Sequence, residues 1–175
     1  MHYVQERSFI ATFSTETLGF TGILDSFEGT PRTRQNNWLT VVESGLTVAP
    51  QQFWFGYFEG EDSGYQVLTI ASEAGASHKD YWDLSSNSHV GYYVTSKKPV
   101  LWRVRVDGSK IVQPECGECE GVTLGARGQA LLSARERPRW EDHWVAVNAP
   151  IKLEFTMNVT EVDVPRFENF AQYRR

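Results

Sequence analysis

The strongest apolar runs of this sequence recur at a near-constant spacing, and that limits the fold more than any other feature. They stand at 53–58, 101–106 and 151–156, a period of about 48 residues. A period in this range marks a chain built from repeated supersecondary units. A shorter run precedes each: Trp38-Leu39-Thr40-Val41, Tyr81-Trp82-Asp83-Leu84 and Ala130-Leu131-Leu132-Ser133. Before those come Phe20–Leu24, Tyr65–Ile70 and Gly121–Leu124, giving approximate units 20–60, 64–108 and 120–160 and a C-terminal extension at 161–175.

These runs read as strands. Helical periodicity is scarce, and short apolar or alternating stretches are separated by Gly, Pro, Asn, Asp and Ser clusters. Strands are expected near Phe9–Phe13, Phe20–Leu24, Trp38–Val42, Leu46–Val48, Gln52–Phe58, Tyr65–Ile70, Trp82–Leu84, Val90–Val94, Leu101–Val106, Gly121–Leu124, Ala130–Ala134, His143–Val147 and Ile151–Val159. Alternation is cleanest in Trp102-Arg103-Val104-Arg105-Val106, with apolar residues on one side and arginines on the other. Phe53-Trp54-Phe55-Gly56-Tyr57-Phe58 is aromatic throughout, which predicts burial on both faces or at an interface. An aromatic content of 13%, with six Trp, also favours strands. At 175 residues the chain is expected to form one all-β domain, large enough to bury a core without a metal or disulfide. In the extension, Phe167, Phe170 and Tyr173 would share one side of a short helix, if one forms. The alternatives are a segment packed along the domain's flank, a frayed end, and an arm reaching a partner subunit.

Three four-stranded units of this length resemble the β-trefoil architecture, in which six strands close a small barrel and six form a cap. Closure leaves no exposed sheet edges. Residues Gly121 to Ala134 resemble a trefoil repeat of the fascin group, and Gln52-Phe53-Trp54 matches the Gln-x-Trp element of ricin-B-like lectins. That tripeptide occurs once; the equivalent places read Val100-Leu101-Trp102 and Pro150-Ile151-Lys152. The resemblance spans about 140 residues in strand pattern and very few in identity. Phe9–Phe13 is either a surplus strand or the true first strand, and a jelly roll or other β-sandwich is the alternative topology.

Charge and composition exclude several classes. The formal net charge is -5 and the pI about 5.4, and the stretch from Arg127 to Arg139, with four Arg, carries only a modest local excess. Nucleic-acid binding needs clustered cations, so it is not expected. No run of about 18 apolar residues offers a membrane span. The sequence Met1 to Arg7 lacks the apolar core of a signal peptide, so the expected setting is cytoplasmic, or export without such a signal, or a processed chain. Asn158-Val159-Thr160 is a sequon that a strand would leave unmodified. Cys116 and Cys119 form a Cys-x-x-Cys pair flanked by Glu115, Glu118 and Glu120. Carboxylates raise a thiol's pKa, and no further ligands stand at zinc spacing, so an acidic surface loop with free or linked thiols is expected.

No nucleophile elbow, zinc-protease helix, phosphate loop or dinucleotide fingerprint is present. Binding is better supported, because an aromatic face stacks on sugar C–H groups while polar neighbours bond its hydroxyls. Each unit offers such a stretch. The candidates are Asn37 and Trp38; Trp82, Asp83, Asn87 and His89; and Trp140, Asp142 and His143. Trp82 and Trp144 have a competing reading as core residues, and Trp140, between Arg139 and Glu141, is the Trp expected to be exposed. The expected function is a non-enzymatic, lectin-like carbohydrate-binding protein with a glycan or glycoprotein partner, no cofactor and no metal. A protein-binding module is the alternative: a protease inhibitor presenting Ser133 to Arg139, or a subunit of a toxin or surface assembly, with homo-oligomers open. A glycan hydrolase using Asp83, His89 and the Glu59, Glu61, Asp62 cluster is the third.

Overall fold

Strand alternation sends every second side chain to one face, and in this chain the two faces acquire different partners. A computed structural model describes residues 1–29, 33–35, 37–43, 49–70, 80–94, 99–136 and 142–168. The expected strand Leu46–Val48, together with Trp140, Arg137 to Arg139, Phe170 and Tyr173, lies outside the described residues. Among those described there is no helix, and so none long and apolar enough to cross a membrane.

The chain opens with its longest strand, β1 (His2–Thr15). Next come β2 (Gly22–Asp25), the two-residue strands β3 (Phe27–Glu28) and β4 (Thr33–Arg34), and β5 (Thr40–Val42). Then follow β6 (Gln52–Glu59), β7 (Gly64–Ile70), β8 (Tyr81–Leu84), β9 (Val90–Tyr93) and β10 (Trp102–Val106). The remainder are β11 (Ser109–Lys110), β12 (Gly117–Ala126), β13 (Leu132–Arg135), β14 (Asp142–Val147), β15 (Ile151–Lys152) and β16 (Phe155–Val162). The expected strand Ile151–Val159 is thus two strands, broken where Leu153 leaves the edge and buries its side chain.

Six strands close a barrel, each antiparallel to the next: β1 with β6, β6 with β7, β7 with β10, β10 with β12, β12 with β16, and β16 with β1. Three further antiparallel pairs, β2 with β5, β8 with β9 and β13 with β14, lie in sequence between successive barrel strands. Because the barrel strands alternate in direction, all three pairs leave from one end, and the β6–β7 turn and the β10–β12 connection lie at the other.

Alternation fills the interior. Phe53, Phe55 and Tyr57 point in from β6, Phe9, Ala11 and Phe13 from β1, and Phe155, Met157 and Val159 from β16. Phe9 and Phe55 stack with centroids 4.9 Å apart. The intervening residues of β6 are covered from outside, as its continuous aromatic run predicts. Trp54 and Phe58 join Ile10, Leu68, Ile70 and Val164 in a second buried cluster. The C-terminal segment lies over this face: the Trp54 Nε1–H donates to the Pro165 carbonyl at 3.2 Å, and Phe167 packs edge-on against the indole. Residues 163–168 therefore form a strap along the flank rather than the start of a helix. Tyr3 pins its far edge, its hydroxyl donating to the Val164 carbonyl, and burial pushes that hydroxyl's pKa up to about 12.

In β1 the ladder slips between Val4 and Phe9. Ser8, fully buried, repairs the break: its hydroxyl donates to the Val4 carbonyl at 2.7 Å and accepts from the Tyr57 N–H at 2.9 Å. The sequon residue Asn158 sits inside β16, paired to Thr12 and Glu118.

Candidate functional site

The strand pairs meet at their end of the barrel through three short backbone stretches. The Leu39 N–H donates to the Val90 carbonyl at 2.9 Å, and the Val145 N–H to the Leu39 carbonyl at 3.0 Å. All three aliphatic residues are fully buried. Each is preceded by a large ring: Trp38, His89 and Trp144. Neighbouring strand residues face opposite ways, so inward Leu39, Val90 and Val145 turn the rings together on the outer side. The His89 imidazole packs edge-on against both indoles, 5.6 Å from Trp38 and 5.0 Å from Trp144.

The turn before β9 sets His89 in place. Ser88 has a left-handed backbone (φ 64°), and the Ser85 hydroxyl accepts the His89 N–H at 3.1 Å. His89 is 8% exposed, and its Nε2 has no hydrogen-bond partner among the described residues. Burial, and secondarily the charge of Arg135, holds its pKa below the usual value of 6.5, which favours a neutral ring. Trp38 and Trp144 are half-buried beside it. Glu28 supplies the polar edge: one carboxylate oxygen accepts the Trp144 Nε1–H at 3.2 Å, and the other lies 3.5 Å from the Asn37 amide nitrogen.

Of the residues singled out in the sequence, Asn37, Trp38 and His89 are brought together here. Asn87 is exposed at the tip of the adjacent turn. Trp82 is not available to a ligand. It is 1% exposed, wedged against Phe53 at 4.8 Å and Trp102 at 5.8 Å, because β8 turns it into the barrel. Asp83, next to it, is half-buried, and one of its carboxylate oxygens accepts the Leu84 N–H. Asp142 is 1% exposed at the start of β14, and His143 packs edge-on against Phe20 at 4.9 Å, away from the His89 cluster. Trp140 lies outside the described residues. The acidic turn holding Glu59, Glu61 and Asp62 joins β6 to β7 at the other end of the barrel, so it shares no site with Asp83 or His89. Asp62 there pairs with Arg127.

Sequence reasoning missed Glu28 and left Trp144 open between a binding and a core role. The available signal is the recurrence of a ring directly before a buried aliphatic, in Trp38-Leu39, His89-Val90 and Trp144-Val145. Cys116 and Cys119 are free thiols that line a cleft with Glu115, Glu118, Met157 and Val159, and Cys119's pKa is raised by burial and by Asp107. Among the described residues no three His, Cys, Asp or Glu side chains are placed to hold a metal ion. Comparison with known proteins finds no matching family model, no matching curated protein and no matching solved structure.

Proposed function

We propose that the chain is a β-trefoil whose capped end carries a carbohydrate-binding site, making it a lectin-like, non-enzymatic protein. The fold reading is supported by the order of elements, in which barrel strand, strand pair and barrel strand follow one another three times: β1, β2/β5, β6; β7, β8/β9, β10; β12, β13/β14, β16. In such an arrangement Trp38, His89 and Trp144 hold the same place in their units, each on the second strand of its pair or just before it.

The functional reading rests on one observation: His89 packed between two half-buried indoles whose edge is bonded by Glu28. Indole faces suit the apolar faces of a pyranose, and Glu28 with Asn37 provides a carboxylate acceptor and an amide for hydroxyls. A neutral imidazole between the rings keeps the platform uncharged and cheap to desolvate.

A glycan-array screen of the full chain tests this, with Trp38→Ala and Trp144→Ala alongside. The expected result is binding to one sugar family, competed by the free sugar, and weakened about tenfold or more by either variant. Unchanged thermal unfolding of the variants would place the loss at the site. A blank array, or sugar binding indifferent to both substitutions, would overturn the reading and turn attention to a protein partner.

A further inference from the structure

The other end of the barrel holds a cavity of a different character. It is about 50 Å³, lined by Arg7, Tyr57, Ser63, Tyr65, Arg103 and Lys110 among others. By the same measure a single water needs about 10–15 Å³, so the space takes several waters or one compact anion. Two buried hydrogen-bond donors at this cavity have no acceptor among the described residues: the Arg7 Nε–H and the Tyr65 hydroxyl. Tyr65 is 3% exposed, and burial drives its ionisation upward, so the hydroxyl remains a donor.

Arg7 is fixed in place before any ligand arrives. Its guanidinium lies 3.6 Å above the Tyr57 ring, and its Nη2 donates to the Ile111 carbonyl at 3.3 Å. Its contact with Glu59 is long, 4.0 Å, and that half-exposed carboxylate also faces His2. Arg7 lines the cavity, the outward-facing Arg103 of β10 and the exposed Lys110 border it, and no carboxylate does. A preorganised guanidinium with a spare N–H, a phenol donor and a positive border together call for oxygen acceptors with negative charge.

We propose that this cavity is a binding site for a small oxyanion, either a free tetrahedral ion or the carboxylate end of an organic ligand, held by Arg7 and Tyr65. The site is independent of the capped end and of any sugar bound there.

The test is titration of the full chain with sodium phosphate, sulfate and acetate at constant ionic strength set with sodium chloride. It is followed by the amide NMR shifts of Ser63, Gly64 and Ile111. A saturable response to phosphate or sulfate identifies the tetrahedral source, and one to acetate alone the carboxylate source. Tyr65→Phe removes only the unpartnered hydroxyl and should weaken binding about tenfold or more, as should Arg7→Lys, which keeps the charge but loses the planar fork. Circular dichroism confirms that both variants are folded. A response no larger than that of chloride, or one that Tyr65→Phe leaves unchanged, would overturn the proposal.

Discussion

The Arg34 guanidinium grips the fully buried Asp25 carboxylate at two points, Nε to Oδ1 at 2.9 Å and Nη2 to Oδ2 at 3.0 Å. The same carboxylate accepts the backbone N–H groups of Ser26 and Gln51, so one ion ties the end of β2 to β4 and to the entry of β6. A buried pair contributes little over a well-packed apolar replacement, yet removing one partner strands a charge. Arg34→Met should therefore cost about 3–5 kcal/mol in urea unfolding. The double variant Arg34→Met with Asp25→Leu should lose less than the sum of the two single changes. Additive losses would show that the two residues act separately.

His89 makes stability depend on pH. Its folded pKa lies below the unfolded value of 6.5, so between the two the unfolded state binds more protons and stability rises with pH. The contribution is full above pH 6.5 and is lost as pH falls from there towards the folded pKa, with a slope of at most about 1.4 kcal/mol per pH unit. Urea midpoints of the full chain at several pH values between 5 and 8, compared with His89→Gln, give the test. The variant should lose less stability on acidification than the parent, and parallel curves would show that His89 is not the responsible group.

Much of this architecture was legible because alternation is physical. The arginines of β10 face out and Trp102 and Val104 face in, as the pattern of that segment requires. The doubly aromatic β6 is covered on both sides, by the core and by the C-terminal strap. The register of the first unit was not legible. Phe9–Phe13 belongs to β1, a barrel strand, so Trp38 to Val42 occupies the second strand of its pair and corresponds to β9 and β14 rather than to β8 and β13. That one-strand slip matched Trp38 with Trp82, a core residue, and hid its relation to His89 and Trp144. The slip in β1 between Val4 and Phe9 blurs its alternation, which leaves Phe9–Phe13 open in the sequence between a surplus strand and the true first strand. Glu28 was invisible for another reason: its bond to Trp144 joins residues 116 positions apart.

On the outer face of β6 a glycine is required by a neighbouring ring. A Cβ at Gly56 would run into the six-membered ring of Trp54, whose indole lies along the strand towards the next outward position. Gly56→Ala should displace the indole, break its bond to the Pro165 carbonyl and destabilise the chain by about 1–3 kcal/mol. In a Trp54→Ala background the same change should be nearly neutral, because the obstacle is gone. Equal costs in both backgrounds, read by urea unfolding, would mean that the backbone and not the ring excludes a side chain at 56.

Cys116 and Cys119 should not bridge within one chain. Gly117, Glu118 and Cys119 pair in order with Val159, Asn158 and Met157, whereas Cys116 stands at a bend just before β12, its thiol 3.9 Å from the Thr160 carbonyl. Cys119 is held inside the β12–β16 ladder opposite Met157, and Cys116 lies outside it. A disulfide needs both sulfurs turned towards each other, but the two free thiols face different carbonyls, Cys116 that of Thr160 and Cys119 that of Glu120. Mild oxidation should then leave the monomer without an internal disulfide, and a thiol reagent should label both cysteines of the folded chain. Cys116, exposed, should react first. Cys119, half-buried and with its thiolate disfavoured by burial and Asp107, should follow more slowly. Mass spectrometry of the oxidised monomer decides the matter: loss of two hydrogens within the 116–119 peptide would mean that this end of β12 leaves the sheet in solution.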